Sequence, residues 1–142
     1  MSEQNKAIVR RFYEEVMSQG KVDLLDEIMA ENFTDNGETL FGSPRGRDTL
    51  KQGIVATRRV LSDLAVEVHD MIAQGEMVGV RGTMRCRQLG EFLGVPATGN
   101  ELSWAGLAMF RVVDGRIAER WFNSDSLSVV QQLGIVQRLE LA

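Results

Sequence analysis

Four side chains near the C-terminus alternate along a stretch that is typical of a β-strand. Glu119, Trp121, Asn123 and Asp125 are each separated by one residue, and side chains in a strand repeat every two residues. The spacing predicts that these four share one surface with Ile117. An aromatic ring, an amide and two carboxylates on one surface form either the wall of a pocket or part of a solvated exterior. Asp125 is a candidate for proton transfer if that surface lines a pocket.

The same residues have simpler interpretations that the sequence leaves open. Asp125 directly precedes the apolar-periodic run 126–133, and aspartate commonly caps a helix at that position. Glu119 is a solvated charge if its strand coils toward the rim. Trp104 and Trp121 are either cavity walls or ordinary core residues.

Composition excludes several classes of function. The 142 residues suffice for one domain, residues 1–142, and 44% of them are hydrophobic with no run of about 18 apolar residues. A net charge of -4 argues against a nucleic-acid partner. With one cysteine, Cys86, and one histidine, His69, no Cys/His metal cluster can form, and no metal site is predicted. No secretory signal is evident at the N-terminus, so we expect a cytoplasmic protein without membrane contact.

The elements that must position the polar surface follow from periodicity. Apolar residues at spacings of three and four predict a helix over residues 3–18 ended by Gly20, and a second over 24–30 capped by Asp23. Residues 31–36 break the helical pattern and lead into a glycine-rich loop, Gly37 to Gly46. A third helix is predicted from Arg47 to Leu61.

After the third helix the period changes to two. Two antiparallel strands are predicted from Asp63 onward with a turn at Gly75-Glu76, and a loop over 91–98 follows. Asp114-Gly115, flanked by alternating runs, is a strong hairpin signal. A short helix ended by Gly134 and an edge strand at Ile135-Val136 complete the chain. The predicted fold is α+β, with three N-terminal helices packed on a strongly curved, mostly antiparallel sheet that forms a cone with an internal pocket.

Five segments in this order resemble the SnoaL-like polyketide cyclase family of the nuclear transport factor two-like superfamily. They are NKAIVRRFYEEV, DLLDEIMAENFTDN, GEFLGVPATGNEL, FRVVDGRIAERW and SVVQQLG. The resemblance implies a cone that binds a small hydrophobic ligand, and a homodimer formed through the outer sheet face. It also implies cofactor-independent intramolecular aldol cyclisation, with an aspartate near the end of the Trp-bearing strand as acid and base.

Asp125 best matches that aspartate. Tyr13 and Asn36 belong to the helix and loop that the resemblance places around the cavity, and they are substrate-binding candidates together with Asn123, Trp121, Trp104, Glu119 and Gln88. The family often has histidine at the positions of Asn36 and Arg87-Gln88.

The predicted function is therefore a small enzyme that cyclises a hydrophobic carbonyl substrate by aspartate-mediated acid/base catalysis. The alternative is a non-catalytic ligand-binding or dimerisation module of the same fold, which the missing histidines favour. Epoxide hydrolysis is a third hypothesis that needs a second acid beside Arg81, where residue 83 is a threonine.

Overall fold

The N-terminal helix changes its winding halfway along. In the computed structural model, which describes residues 2–37 and 45–137, α1 spans Ser2–Arg11 and continues as a π-helix over Phe12–Met17. The predicted helix is thus present, and Gly20 with a φ of 75° follows its end. Valine and phenylalanine side chains on one face of this helix are buried against the sheet: Val9, Phe12 and Val16.

The second predicted helix is shorter than expected and is followed by a strand. A 3-10 turn, Val22–Leu24, leads into α2, Leu25–Ile28, and Asp23 makes no capping hydrogen bond through its side chain. The chain then becomes extended as β1, Met29–Asp35, where an irregular segment was predicted. The prediction missed β1 because this strand is specified by a partner far away in sequence: it pairs in parallel with the strand that carries Trp121.

The third helix and the long strands follow the predicted order. Helix α3 spans Arg47–Val60, and most of the predicted loop before it, residues 38–44, lies outside the described residues. The remaining strands are β2 (Leu61–Gln74), β3 (Met77–Gln88), β4 (Glu101–Val113) and β5 (Arg116–Ser124). Helix α4, Ser126–Gln132, follows. Residues 135–137 are bends and a coil, so the predicted edge strand there is wrong.

One five-stranded sheet joins these elements in the order β1-β5-β4-β3-β2, with antiparallel pairing except between β1 and β5. The β4–β5 hairpin turns at Asp114 and Gly115, whose φ angles are 50° and 76°, as expected for an Asp-Gly turn. The fold is α+β, as predicted, with the helices on the concave face of a curved sheet. Within the described residues, no helix is long and apolar enough to cross a bilayer.

The core lies in two clusters that leave a space between helices and sheet. The larger cluster packs α1, the π-helix and α2 onto the sheet, with Phe12 and Phe110 fully buried at its centre. The smaller one joins the start of β2 to the loop after β3 and to α4, around Leu61 and Leu102. Residues of both clusters, including Leu50 and Ile54 of α3, border the cavity described below.

Candidate functional site

A cavity of about 460 Å³ lies between the helices and the concave face of the sheet. Most of its wall is apolar and comes from the π-helix, α3 and strands β2 to β5: Met17, Leu50, Ile54, Leu61, Leu64, Val66, Val80, Met84, Trp104, Leu107, Ala108 and Phe122. A few polar groups interrupt this wall: Tyr13, Thr49, Thr57, Arg58, Arg120, Asn123 and Ser124. An apolar cavity with a few polar groups is typical of a small-molecule site.

The π-helix positions the first polar group. The amide of Ser18 donates to the carbonyl of Tyr13 at 3.0 Å, as in a π-helix, and Tyr13 and Met17, four residues apart, both line the cavity. The ring of Tyr13 packs edge to face on Phe12 at 5.2 Å and on Phe110 at 5.7 Å between ring centroids. These contacts fix the ring and leave its hydroxyl without a hydrogen-bond partner among the described residues.

Burial raises the pKa of Tyr13 to about 12, with the negative charge of Asp35 adding to the rise and the positive charge of Arg120 opposing it. The phenol is consequently protonated across the neutral range. Inside the cavity it can donate a hydrogen bond to an oxygen of a ligand.

The second polar group is the buried Arg120. Its Nε donates to Oδ1 of Asp35 at 3.3 Å, and its Nη2 donates to Oδ2 of the same carboxylate. The amide of Gly37 also donates to Asp35, at 3.2 Å. The guanidinium lies over the ring of Phe122 at 4.2 Å and near that of Phe12 at 5.4 Å. These contacts hold the Arg120 side chain against the cavity wall.

Arg120 has more donors than Asp35 can use. A guanidinium carries five N–H groups, and two of its nitrogens are engaged by the carboxylate. Nη1 has no hydrogen-bond partner among the described residues, and Arg120 lines the cavity. Arg120 therefore offers fixed, positively charged donors to an oxygen of a ligand.

A β-bulge decides which side chains of β5 face this cavity. Arg111 pairs with Glu119, but the next residue of β4, Val112, pairs with Ile117, so Ala118 is the extra residue. Ile117 is buried, and beyond the bulge the lining residues of β5 are Arg120, Phe122, Asn123 and Ser124. The prediction that Ile117, Glu119 and Trp121 share one face is wrong, because the bulge shifts the alternation by one residue.

On the outer face, three residues that were predicted to contact a ligand form a separate cluster with Arg111: Asn36, Glu119 and Trp121. Glu119 accepts from Arg111 Nε at 3.3 Å and from Asn36 Nδ2 at 3.1 Å. The guanidinium of Arg111 lies 5.8 Å from the centroid of the Trp121 ring. None of Asn36, Glu119 or Trp121 is among the cavity-lining residues, so their predicted contact with a ligand has no support in this geometry.

Asp125 lies at the start of α4. It is exposed, and its Oδ1 accepts a hydrogen bond from the amide of Ser128 at 3.1 Å, which is the geometry of a helix cap. It is not among the lining residues of the cavity, although Ser124 beside it is. The structure thus displays the capping geometry, and the catalytic role of Asp125 stays a prediction.

Gln88 was predicted to bind substrate, but its side chain contacts the loop that follows β3. It is fully buried, and its Nε2 donates to the carbonyls of Val95 at 2.9 Å and Pro96 at 3.0 Å. Its Oε1 accepts from the hydroxyl of Thr98 at 2.9 Å. These bonds hold the loop after β3 and occupy the amide, which does not line the cavity.

Of the predicted site residues, Tyr13, Trp104 and Asn123 border the cavity. Asn123 is exposed, and its backbone carbonyl lies 3.4 Å from the position of a Cβ on Gly106. The binding roles of all three stay predictions.

Sequence reasoning missed Arg120 and Asp35. The available signal was a single charged residue, Arg120, in phase with Phe122 along the strand, but its orientation depends on the bulge.

The described residues contain no group of three or more His, Cys, Asp and Glu side chains that could hold a metal ion. The one cysteine, Cys86, is buried, and burial raises the pKa of its thiol to about 11. Its thiol is thus protonated at neutral pH and poorly suited to nucleophilic catalysis.

The chain is similar to two aklanonic acid methyl ester cyclases along most of its length. It is 28% identical over 130 residues to the aklanonic acid methyl ester cyclase DauD of Streptomyces sp. strain C5, covering 89% of this chain and 80% of DauD. The same identity and length relate it to the aklanonic acid methyl ester cyclase DnrD of Streptomyces peucetius, of which 88% is covered.

Among solved structures, IdmH of Streptomyces antibioticus, a proposed polyketide cyclase, superposes with a TM-score of 0.83 at 30% identity, over 92% of this chain and 99% of IdmH. The family model of SnoaL-like polyketide cyclases matches residues 7–133. The chain belongs to the SnoaL-like polyketide cyclase family.

Proposed function

We propose that this protein is an enzyme that promotes aldol-type ring closure of a hydrophobic, carbonyl-bearing substrate bound in the cavity. The observation that carries the proposal is the pair of donors, the neutral Tyr13 hydroxyl and the Arg120 guanidinium, in an otherwise apolar wall. The family membership and the cyclase activity of DauD and DnrD support the same class of reaction.

The chemistry follows from where negative charge develops. When a C–H bond next to a carbonyl breaks, the charge of the resulting enolate resides mainly on oxygen, and donors held in a water-poor site stabilise it. The enolate carbon then forms a C–C bond with a second carbonyl of the same molecule, whose oxygen becomes an alkoxide. Tyr13 donates its proton to that alkoxide and regains one from solvent, so the proton lost from carbon and the proton gained by oxygen balance.

In this mechanism Arg120 has one role, which is to stabilise negative charge on the substrate. An arginine stays protonated in proteins, so it stabilises charge and does not remove a proton. Asp35 accepts hydrogen bonds from Arg120 and Gly37 and is not a lining residue, so its role is to orient the guanidinium. The proton from carbon passes to solvent at the end of the cavity bordered by the exposed residues Thr49 and Gly53.

In this proposal Asp125 stabilises α4 as its cap and does not touch the substrate. The aspartate-mediated mechanism expected from the family resemblance is the competing hypothesis. In that hypothesis Oδ2 of Asp125 would act on a bound molecule while Oδ1 accepts from the amide of Ser128.

A panel of aromatic polyketide-like methyl esters with two reactive carbonyls tests the proposal. Tyr13→Phe removes one donor and keeps the ring, and we expect its turnover to fall by about 10²-fold or more. Asp125→Asn retains a capping side chain and is expected to cyclise the same esters at nearly the wild-type rate. Full activity of Tyr13→Phe together with loss of activity in Asp125→Asn would contradict the proposal.

The same panel separates catalysis from ligand binding. If wild-type protein binds the esters but accelerates cyclisation of none of them, the non-catalytic binding module is the better account. Binding is measured by quenching of tryptophan fluorescence, because Trp104 lines the cavity.

We also propose that the outer sheet face mediates homodimerisation. A row of residues crosses four strands there: Ile72 pairs with Gly79, Gly79 with Met109, and Met109 with Trp121. Ile72 is 75% exposed in a single chain and Met109 is 48% exposed. An apolar row of this kind on a monomer favours contact with another protein surface.

Light scattering coupled to size exclusion tests this interface. Met109→Glu places an unpaired charge in the row, and we expect it to convert a dimer into a monomer. The matched control, Ile135→Glu, changes an exposed apolar residue elsewhere and should leave the dimer intact. A monomeric wild-type protein, or a dimer that survives Met109→Glu, would contradict the proposal.

A further inference from the structure

Gly53 is a glycine in the middle of α3, on the face that lines the cavity. It is exposed, and none of the other described residues comes within 4 Å of the position where its Cβ would lie. Glycine is a poor residue for a helix interior, where alanine gives greater stability. Nothing in the packing around Gly53 requires the absence of a side chain.

Two other glycines line the cavity and provide a contrast. Gly82 of β3 pairs with Gly106 of β4 on the wall of the cavity. A Cβ on Gly82 would lie 2.8 Å from the carbonyl oxygen of Glu67, and a Cβ on Gly106 would lie 3.4 Å from that of Asn123. The close approach of the Glu67 carbonyl therefore accounts for the glycine at position 82, whereas the contact at position 106 is an ordinary van der Waals distance.

We infer that Gly53 is a specificity-determining residue, whose missing side chain leaves room for a longer substrate to extend past α3. The inference rests on the cavity being the substrate site of the proposed function. A larger residue at position 53 would shorten the substrate that the cavity accepts.

Binding of two ring systems of different size tests the inference without any catalytic assay. The probes are naphthalene-2-carboxylate, with two fused rings, and anthraquinone-2-carboxylate, with three, and their Kd values are measured by isothermal titration calorimetry. Gly53→Leu adds four side-chain carbons. We expect it to weaken the three-ring probe at least 10-fold and to change the two-ring probe by less than 2-fold.

Two further variants separate size from helix propensity. Ala56→Leu adds bulk to an exposed position of α3 that does not line the cavity, and it should leave both Kd values unchanged. Gly53→Ala should raise the midpoint of thermal unfolding by a few degrees, because alanine favours the helix.

The inference is overturned if Gly53→Leu binds both probes as the wild type does or weakens them equally. It is also overturned if the wild type binds neither probe, or if Gly53→Ala unfolds at a lower temperature than the wild type. Loss of the three-ring probe alone would support it even if the protein cyclised none of the esters, which distinguishes its failure from that of the proposed function.

Discussion

Two arginine–carboxylate pairs involve neighbouring residues of β5 and differ in burial and in the face of the sheet on which they lie. Arg120 and Asp35 have side chains that are 9% and 0% exposed, and they lie on the concave face. Arg111 and Glu119 are 40% and 31% exposed on the outer face, where the ion-pair distance is 3.3 Å. Glu119 and Arg120 are adjacent in sequence, and the bulge at Ala118 decides which of them faces the cavity.

The contrast shows that burial, more than charge, gives these pairs their roles. An exposed pair is screened by solvent and contributes little to stability. A buried pair must be complete, because removing one partner leaves an uncompensated charge in a medium of low polarity. The outer pair can change with small effect, whereas the inner pair fixes donors at the cavity wall.

Matched substitutions in the two pairs test whether burial determines how much each pair contributes to stability. Arg120→Met leaves Asp35 buried without its cation, and we expect the free energy of unfolding to fall by about 3–5 kcal/mol. Arg111→Met removes an exposed partner and should cost less than about 1 kcal/mol. Urea denaturation followed by circular dichroism measures both. Equal losses for the two variants would show that the faces do not differ as described.

Gln88 tests whether the inner face depends on polar groups that do not touch a ligand. Gln88→Leu leaves the carbonyls of Val95 and Pro96 without their buried donor, and we expect a loss of about 1–3 kcal/mol in unfolding free energy. Hydrogen exchange of the Gly99 amide, which donates to the carbonyl of Gln88, should accelerate. A substitution of the exposed Leu89 by alanine is the control. Unchanged stability in Gln88→Leu would contradict the buried role.

The titration of Tyr13 tests whether the inner face is buried. Because Tyr13 is the only tyrosine of the chain, its ionisation can be followed without overlap from another tyrosine. Its pKa is raised from 10.0 to about 12 in the folded state, so between these values the unfolded state binds fewer protons and stability falls as pH rises. From about pH 8 to about pH 11 the wild type should lose about 1.4 kcal/mol more than Tyr13→Phe does.

The near-ultraviolet absorbance of phenolate provides a direct check. We expect little ionisation at about pH 11 in the folded protein and half-ionisation near pH 10 in urea. A folded protein that ionises near pH 10 would show that the hydroxyl is solvated.

The order of the main elements could be predicted because each signal was local. Positive φ at Asp114 and Gly115 and the alternation on either side specify the hairpin, and three- and four-residue spacing specifies α3. Strand β1 was missed because its pairing depends on β5, which lies far away in sequence.

The cavity wall was predicted only in part for a related reason. Alternation identifies two faces of β5 but not the bulge at Ala118, so Glu119 and Trp121 were assigned to the wrong side and Arg120 was overlooked. Tyr13, which the family resemblance placed beside the cavity, and Trp104, predicted as a cavity wall or a core residue, both line it. The partnership of Arg120 with Asp35 joins residues 85 positions apart, and no local pattern contains it.

The most direct test of the central claim is exchange of the carbon-bound proton itself. A β-keto ester that lacks a second reactive carbonyl is incubated in deuterium oxide, and loss of its α-proton is followed by NMR. We predict that the wild type and Asp125→Asn accelerate exchange equally, and that Tyr13→Phe slows it by about 10²-fold, because the Tyr13 hydroxyl stabilises the enolate. Fast exchange in Tyr13→Phe with none in Asp125→Asn would contradict this account and assign the proton transfer to Asp125.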